Sequence, residues 1–516
     1  MKKKVVIVGG GINGLTAANY LQKHNFNVHI LEKNNHIGGA CVKDTAVIGK
    51  KIFNYPKGAT VLGMMQKFIF EETHLSKFVE TYYPKSPKLV YFQDDLEPTR
   101  IFQNIDSLQN ELKNKWNEKG DVAGFRNDEN KVIHYLQNIY KKSTIPSISD
   151  AENTLGKKTT ELWIKGSAYD LLNHYFTSEK TKLYMGMTVT ESGPASIFQK
   201  GTAFTIPLMD SGSIFNGYWG FVKNGIWEIT ENLEKINKSL GVKIDYSVSI
   251  KKINSKSQKI HLENKKLDYD YLLFATDPLT PSTLLQDSKK VKTINNKELV
   301  GTSGKVTAFF KNPVIWKYPI NDNSLDTSFR FIFSNSNLDE FEKSSQSVYK
   351  NRKDYEPGYI QIYPEGSAQR KMGNDEGIEK LILFAKNFSF NKDSNDLIEC
   401  KEDILNLLSK YIVNIDDLIE TKFLTPLDLK KSFYFPKGNI DHMTLSGDQN
   451  FNKRTFSNCP EKSFFRYFDF NNIYYCGAGS FPCGSVAGTP GYMCAKHIIN
   501  FNLSLIHISE PTRLVS

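Results

Sequence analysis

The chain has 516 residues, of which 40% are hydrophobic and 24% are charged. This is the composition of an ordinary globular protein, long enough for about three domains or for one large bipartite enzyme. The formal charge of +10 is spread over many lysine-rich segments. No zinc-finger, RNA-binding or helix-turn-helix signature accompanies it, so we do not expect nucleic acid as a partner.

The cysteines and the apolar runs indicate the compartment. None of the six cysteines forms a C-x-x-C pair, so a reducing, cytoplasmic environment is expected and a redox disulfide is not. No run approaches about 18 apolar residues, so no membrane-spanning helix is predicted. The positive charge would still allow peripheral contact with an anionic membrane. No H-E-x-x-H motif or Cys/His cluster is present, and no metal site is predicted.

The chain begins with a strand, a glycine turn, a helix and a second strand. Residues 5–8 form a short β-branched apolar run, and residues 28–31 form another that ends at Glu32. The turn between the first strand and the helix has G-x-G-x-x-G spacing, with Gly9, Gly11 and Gly14. This arrangement predicts a Rossmann-like dinucleotide site, because a strand, a glycine turn, a helix, a second strand and an acid follow one another at the required distances.

Each part of this unit has a mechanical reason. Gly9 permits the tight turn, Gly11 lets the backbone approach a diphosphate, and Gly14 lets the helix pack on the strand. The helix N-terminus offers free N–H groups to the phosphates. Glu32 would accept hydrogen bonds from an adenosine ribose, and an acid there disfavours a 2′-phosphate. NAD and FAD remain the two candidates at this point.

A second glycine pair follows the acid. Gly38, Gly39 and Ala40 come six residues after Glu32, and Lys33 stands directly after it. This two-part pattern resembles that of the FAD-dependent phytoene desaturase and amine oxidase superfamily. The resemblance implies that FAD is the cofactor and that the second glycines let the backbone run along the diphosphate and ribityl chain.

The resemblance extends through the chain. Residues 216–253 resemble the family segment of glycine loop, helix and strand, which implies that the backbone of Ile250 contacts the adenine. "ATDP" resembles a strand end near the cofactor, although Asp277 is better interpreted as a helix cap before Pro278. "NYPKGATVLGMM", "YDLLNHYFTSEKTK" and "PKGNIDHMTLSGDQ" resemble the phytoene dehydrogenase-related subgroup, which includes pyridine nucleotide-disulphide oxidoreductase domain-containing protein 2.

The stretch "CGAGSFPCGSVAGTPGY" near the end of the sequence resembles the closing motif of the superfamily. The resemblance implies that Gly477 and Gly479 lie by the diphosphate and ribityl chain. It also implies that Ser485 and Val486 lie by the flavin ring, as backbone at a helix N-terminus. Many relatives have glycine where this chain has Cys483 and Ser485, which narrows the space beside the ring.

We predict an α/β fold in which a Rossmann-like FAD-binding domain is discontinuous and an α+β substrate domain is inserted into it. The cofactor domain is expected to use residues 1–90, 210–290 and 435–502, and the substrate or cap domain residues 91–209 and 291–434. The first insert has helical periodicity, and the second has strand-like runs such as "KVTAFFK", "FRFIFS" and "YIQIYP". "KSFYFPKG" is a further candidate strand. Residues 503–516 include "LSLIHISEPTR", which resembles a translated sequencing adapter, and are left out of the fold prediction.

The resemblance implies an FAD-dependent oxidoreductase of the phytoene desaturase or dehydrogenase type. Its substrate would be hydrophobic and unsaturated, isoprenoid or lipid-like, and its electrons would pass to a quinone or to oxygen. Two alternatives remain open, an FAD-dependent amine oxidase and a flavin-binding protein with a regulatory or interaction role.

No catalytic residue is identified from the sequence. His442, which follows Asp441, is a weak candidate for a general acid or base paired with a carboxylate. A histidine in a surface loop is the plainer interpretation. Cys41 is expected to be a buried, inert cysteine.

Overall fold

The computed structural model describes residues 2–93, 95–318, 322–349, 358–388 and 394–509. The side chains of residues 394–397 and 503–509 are not part of this description. Of the segment interpreted as a sequencing adapter, residues 510–516 lie outside the described residues, and that interpretation stays a prediction.

The strands are numbered in chain order. β1 to β19 are Lys4–Val8, Asn27–Leu31, Lys43–Ile48, Lys51–Pro56, Thr81–Tyr82, Lys88–Phe92, Thr99–Ile101, Phe221–Val222, Lys243–Asp245, Ile250–Asn254, Lys259–Leu262, Lys266–Asp268, Tyr271–Phe274, Gly304–Phe310, Arg330–Phe333, Tyr359–Pro364, Glu379–Ala385, Leu418–Leu424 and Ile473–Tyr475.

The α-helices are numbered in the same way. α1 to α18 are Ile12–Lys23, Lys67–Glu72, Ile105–Trp116, Val122–Lys142, Ile148–Leu155, Lys157–Thr159, Ala168–Tyr175, Glu179–Gly186, Thr205–Met209, Glu228–Ser239, Leu279–Leu284, Ser288–Asn295, Leu338–Gln346, Glu365–Lys371, Ser394–Ser409, Pro426–Phe433, Pro460–Ser463 and Thr489–Ser509.

A parallel sheet forms the base of the molecule. Within the described residues it has five strands in the order β19-β13-β1-β2-β9, and each neighbouring pair is parallel. Its central strand β1 is apolar and buried after its first residue, as a strand covered on both faces should be. Helices α1, α10 and α18 pack together beside it. This is the predicted α/β, Rossmann-like arrangement, built from strands far apart in sequence, and the fold class is confirmed.

A second, mixed sheet lies over the first. Its described strands run in the order β18-β14-β17-β16-β15-β6-β7, and the pairing is antiparallel except between β15 and β6. Strands β14, β15 and β16 are buried along their whole length. The predicted runs "KVTAFFK", "FRFIFS" and "YIQIYP" correspond to these three strands, and those predictions are confirmed.

A helical layer, α3 to α9, connects β7 to the loop before β8. Polar side chains cap several of its helices at the N-terminus, which satisfies backbone N–H groups that the helix cannot. Asn104 accepts from Ser107 N, Asp121 from Gly124 N and Ser147 from Asp150 N. Helices α3 to α9 confirm the helical structure that the periodicity of the first insert predicted.

One local prediction is wrong. The segment "KSFYFPKG" does not form a strand, because its first residues end helix α16. The helix is fixed from its start by Thr425, whose side chain accepts from Asp428 N, while the Asp428 carboxylate accepts from Thr425 N. This capping box and Pro426 at the first helical position outweigh the aromatic residues of the segment.

The predicted domain boundaries remain a prediction. Strand β6, Lys88–Phe92, pairs with β15 in the second sheet, so the boundary at residue 90 falls inside a strand.

Candidate active site

A cavity of about 570 Å³ lies between the carboxyl ends of the parallel strands and the second sheet. Ligands of α/β proteins bind at this edge of the sheet. Residues from both sheets line it, from Gly9 and Glu32 at one end to Gln361 and Phe384 at the other. Its volume is within the range of ligand pockets, about 300–1,000 Å³.

The first glycine turn forms one wall of this cavity. Gly9 has φ of +104°, which side chains disfavour, and its N–H donates to Leu31 O at 2.9 Å. A Cβ on Gly14 would lie only 2.1 Å from Gly9 O, so glycine is required there for helix packing. A Cβ on Gly11 would meet only Gly39 Cα, at 3.8 Å. Gly9 and Gly11 line the cavity, whereas Gly14 lies behind them.

Glu32 lies at the end of β2 and is buried. Its Oε2 accepts from Gly10 N at 2.7 Å, and its Oε1 accepts from Asn34 N at 2.8 Å. The carboxylate is therefore held in one position at the cavity wall. Each carboxylate oxygen keeps a second lone pair for a further donor.

The second glycine pair lies against the first turn. Gly38 N donates to Gly10 O at 2.9 Å, and Gly38 and Gly39 have φ of +118° and +60°. Both glycines and Ala40 line the cavity. Lys33 also lines it, and its ammonium lies 4.2 Å from the centre of the Tyr434 ring.

Two residues on the neighbouring loops also line the cavity. Ile250, the first residue of β10, is half-buried. Asp277 follows β13, and its Oδ1 accepts from Leu279 N at 2.8 Å and from Thr280 N at 3.1 Å. Asp277 therefore binds the first two N–H groups of helix α11, although the N-cap is Pro278 and the helix begins at Leu279; Asp277 also lies at the cavity.

His442 lies in a loop and is half-buried, with its ring at the cavity. Its ring lines the cavity, 5.4 Å from the Phe435 ring, and its Nδ1 is buried without a hydrogen-bond partner among the described residues. Burial lowers the pKa of His442 to about 4, because the imidazolium form loses its hydration there. The imidazole is neutral at pH 7, so it has no imidazolium proton to give, and the same lowering of its pKa makes it a weak base.

The carboxylate beside His442 does not pair with it. Asp441 is buried, and its Oδ1 accepts from Gly484 N at 3.0 Å. Burial raises the pKa of Asp441 to about 6. The pairing that the sequence suggested is therefore replaced by a bond between Asp441 and the closing loop.

Ser485 and Val486 line the cavity, but they do not form a helix N-terminus. Helix α18 begins at Thr489, and the two residues have φ of +66° and +55°. A positive φ is rare for a β-branched residue, so the surrounding loop must hold Val486 in place. The hydrogen bond from Gly484 N to Asp441 is part of that loop.

Gly477 and Gly479 lie beneath the cavity and do not line it. A Cβ on Gly477 would lie 2.1 Å from Thr276 O, and a Cβ on Gly479 would lie 2.9 Å from the Tyr475 hydroxyl oxygen. Thr276 itself lines the cavity. These glycines are needed because Tyr475 and Thr276 leave no space for a side chain.

Cys41 lines the cavity, and Lys305 lies behind it, bonded to the lining residue Gly58. Cys41 donates from Sγ to Ile226 O at 3.1 Å, and burial raises the pKa of its thiol to about 12, so it is the unreactive thiol that was expected. The Lys305 ammonium donates to Gly58 O at 2.6 Å and to Pro56 O at 2.5 Å. Burial holds the pKa of Lys305 well below its usual value.

Sequence reasoning missed a polar network at the other end of the cavity. Glu191 Oε1 bonds Lys386 Nζ at 2.9 Å, and Glu191 Oε2 accepts from Tyr359 at 3.0 Å and Gln361 at 2.9 Å. The Tyr363 hydroxyl donates to Gln361 Oε1 at 2.5 Å. A lysine in the strand end "LFAK" and a glutamine in the apolar run "YIQIYP" were the only sequence signals. They are weak because their partner Glu191 is more than 160 residues away.

Two kinds of site are absent from the described part of the chain. No group of three or more His, Cys, Asp or Glu side chains there is arranged to hold a metal ion. None of the helices in the described ranges combines the length and the apolar character needed to cross a bilayer.

Comparison with known proteins agrees with this geometry. Residues 7–68 match the family model of the NAD(P)-binding Rossmann-like domain. A 4,4′-diapophytoene desaturase of Staphylococcus aureus is 23% identical over 94% of this chain and 95% of its own length. A 1-hydroxycarotenoid 3,4-desaturase of a Flavobacterium species is 24% identical over 94% and 96%.

Solved structures show the same fold. Cyclohexylamine oxidase from Brevibacterium oxydans superposes with a TM-score of 0.59 and 14% identity, covering 98% of this chain and all of that one. The full-length sequence relatives are desaturases, and this structural neighbour is an amine oxidase. By these similarities the chain is a flavin-dependent oxidoreductase that resembles the phytoene desaturase and amine oxidase superfamily.

Proposed function

We propose that the cavity binds FAD, with the adenosine at Glu32 and Ile250 and the flavin ring at His442, Ser485 and Val486. One observation carries this proposal: a single cavity is lined by all five of these residues. A site for a single nucleotide would need only the part beside Glu32.

The wall beside helix α1 fits a diphosphate. Gly11 leaves open the space that a Cβ would take. The helix begins at Ile12 with no acidic residue in its first turn and no side-chain cap, so its first N–H groups are available to an anion. The buried Oδ1 of Asn13 at the cavity has no hydrogen-bond partner among the described residues, and a hydroxyl donor of the ligand, outside its diphosphate, would satisfy it.

Each predicted residue has a role in this proposal. The second lone pairs of Glu32 accept from ribose hydroxyls, and the ammonium of Lys33 adds positive charge near the phosphates. Gly38, Gly39 and Ala40 run along the diphosphate, and the backbone of Ile250 contacts the adenine. Gly477 and Gly479 set the loop beneath the diphosphate and ribityl chain.

When bound, FAD supplies the redox chemistry by accepting a hydride equivalent from the substrate. The protein contributes position and the exclusion of water. Apolar and aromatic side chains at the cavity, among them Phe384, Phe433 and Phe435, would hold a flat unsaturated chain. His442 lies beside the proposed flavin ring with a buried Nδ1 that has no hydrogen-bond partner among the described residues, and its lowered pKa makes it a weak base.

We propose that the substrate is a hydrophobic, unsaturated compound, isoprenoid or lipid-like, and that the enzyme dehydrogenates it. The desaturase names of the full-length relatives support this class. Quinone or oxygen would take the electrons. Peripheral contact with a membrane, from which such a substrate would come, remains part of the proposal.

The cofactor site can be tested with two glycine variants. In Gly11→Ala the new Cβ meets only Gly39 Cα within the protein. We therefore expect a folded protein, destabilised by about 1 kcal/mol through a poorer helix cap, that binds FAD at least tenfold more weakly. In Gly14→Ala the Cβ would collide with Gly9 O, and we expect a loss of stability of at least about 3 kcal/mol. Flavin absorbance and urea unfolding measure both effects. Wild-type FAD binding by folded Gly11→Ala would refute the placement.

The class of reaction can be tested by reoxidation. The FAD-loaded protein is photoreduced without air and then mixed with oxygen or with a quinone. Slow recovery in oxygen and fast recovery with quinone are expected for the desaturase. Fast recovery in oxygen with peroxide release, together with turnover of amines, would instead favour the amine oxidase to which the fold is similar.

A further inference from the structure

A second cavity, of about 150 Å³, lies between the helical layer and the second sheet. On the same measure, about 10–15 Å³ holds one water, so this cavity has room for several atoms of a ligand. Aromatic and charged residues face each other across it. The aromatic ones are Phe102, Tyr184, Tyr218, Trp219 and Phe329, and the charged ones are Lys88, Arg126, Glu129 and Asp210.

Two of the charged residues satisfy each other. Arg126 Nη1 lies 2.5 Å from Glu129 Oε2, one helical turn away on α4. Only 4% of the Glu129 side chain is exposed. Burial works against the charge on Arg126, but Glu129 and Asp210 outweigh it, so the pKa of Arg126 is raised. The Arg126–Glu129 pair therefore forms a fixed part of the wall of the second cavity.

Lys88 and Asp210 differ from Arg126 and Glu129 because they form no ion pair with any residue that the structure describes. Within the described ranges, no hydrogen bond or ion pair joins the Lys88 ammonium or the Asp210 carboxylate to another side chain. Burial alone would lower the pKa of Lys88, yet Tyr184, Asp210 and Tyr218 reverse this and raise it. The cavity therefore contains a charged donor and an acceptor that the protein leaves without direct partners. Both residues are half-buried, so a ligand or water that enters the cavity can bond them.

The second cavity shares a wall with the first. Trp219 lines both, and its ring occupies the space where a Cβ of Gly63 would lie, 2.1 Å away. The loop that carries it is fixed by two bonds, Leu62 N to Gly220 O at 2.9 Å and Gly220 N to Leu62 O at 2.8 Å. A long molecule beside the flavin would therefore reach the charged recess by passing the Trp219 side chain, while the backbone of its loop stays in place.

We propose that this recess binds a hydroxyl group at the end of an elongated apolar substrate, accepting from Lys88 and donating to Asp210. The proposal deepens the proposed function and rests on it, because it assumes that an apolar chain occupies the first cavity. A hydroxyl suits the pair because it is both donor and acceptor.

The charges argue against other end groups. A carboxylate could pair with Lys88 but would also face Asp210 and Glu129, and an ammonium could pair with Asp210 but would also face Lys88 and Arg126, so either ion meets a like charge beside its partner. A methyl end would leave the two unpaired groups without a partner.

The experiment measures binding to the FAD-loaded protein of three polyenes that differ at one end only, in methyl, hydroxymethyl and carboxylate. Quenching of tryptophan fluorescence gives the dissociation constants. We expect the alcohol to bind about tenfold more tightly than the hydrocarbon, since a hydrogen bond to a charged group contributes about that much, and the acid to bind no better than the hydrocarbon.

Two variants at matched lysines locate the effect. Lys88→Met should remove the preference for the alcohol and leave hydrocarbon binding within about twofold. Lys85→Met changes an exposed lysine three residues earlier and should leave the preference intact. Asp210→Leu should act like Lys88→Met, and Asp210→Asn, which keeps an acceptor, should retain part of the preference.

The outcomes separate the two proposals. Failure of all three polyenes to bind would refute the hydrophobic substrate itself. Binding of the hydrocarbon as tight as that of the alcohol would show that the recess holds water only and would overturn this inference alone. Tighter binding of the acid would overturn it in favour of an anion. If Lys88→Met is unstable, the Asp210→Leu and Asp210→Asn pair decides the question.

Discussion

At the scale of single residues, Asp441 and His442 are neighbours whose acid–base properties shift in opposite senses. Burial raises the pKa of Asp441 from 3.8 to about 6 and lowers that of His442 from 6.5 to about 4. Both residues are neutral in the folded protein near pH 5. Near pH 5 the site therefore has no buried charge on either of these two adjacent residues.

We expect the two residues to give opposite pH dependence of stability. Between about pH 6.5 and 4 the unfolded chain protonates His442 and the folded chain does not, so this group makes stability fall as the pH falls. Between about pH 6 and 3.8 the folded chain keeps a proton on Asp441 that the unfolded chain loses, so this group makes stability rise as the pH falls. Each contribution is at most about 3–3.5 kcal/mol, at about 1.4 kcal/mol per pKa unit.

Urea unfolding at pH 5 and pH 7 measures the difference. His442→Asn, which tolerates the positive φ, should be more stable at pH 5 relative to pH 7 than the wild type. Asp441→Asn should change in the opposite direction, and the double variant should resemble the wild type. Equal slopes for both single variants would contradict the burial argument.

At the scale of elements, the Glu191–Lys386 pair connects the segment after α8 to the end of β17. The Lys386 side chain is fully buried, and 14% of that of Glu191 is exposed. In Glu191→Gln the lysine would lose the charge 2.9 Å away, and we expect the free energy of unfolding to fall by about 3–5 kcal/mol. Glu191→Gln with Lys386→Met should recover part of this loss, because no buried charge is left. A cost below about 1 kcal/mol for the single variant would show that the pair is hydrated.

The elements also show what the sequence could predict. The unit β1–α1–β2 was predictable because its glycines, helix and acid are local in sequence and each has one mechanical role. The apolar strands of the second sheet were predictable for the same reason. The conformation at Ser485 and Val486 was not, because it depends on a bond from Gly484 to Asp441 across 43 residues. The Glu191 network spans even larger separations, and no local pattern marks it.

At the scale of the whole molecule, the proposed FAD would join residues from nearly the full length of the chain. Gly9, Glu32, Ile250, His442 and Val486 line one cavity, so a ligand there contacts several separate segments at once. We expect removal of FAD to lower the unfolding free energy of the entire protein by about 3 kcal/mol at free cofactor 100-fold above its dissociation constant. Thermal unfolding with and without added FAD measures this. A melting temperature that does not respond to FAD, in wild type and in Gly11→Ala alike, would contradict the proposed site.

The strand order has a consequence for how the protein is made. β1 is among the first described residues and β19 among the last, yet only β13 separates them in the parallel sheet. On the ribosome, the edge of β13 that β19 covers must therefore stay unpaired until almost all of the chain has emerged. At about 5–20 residues per second this lasts on the order of ten seconds or more after β13 is made. During that time an apolar strand edge is open to wrong partners. The nascent chain should depend on chaperones, and cofactor loading should follow synthesis.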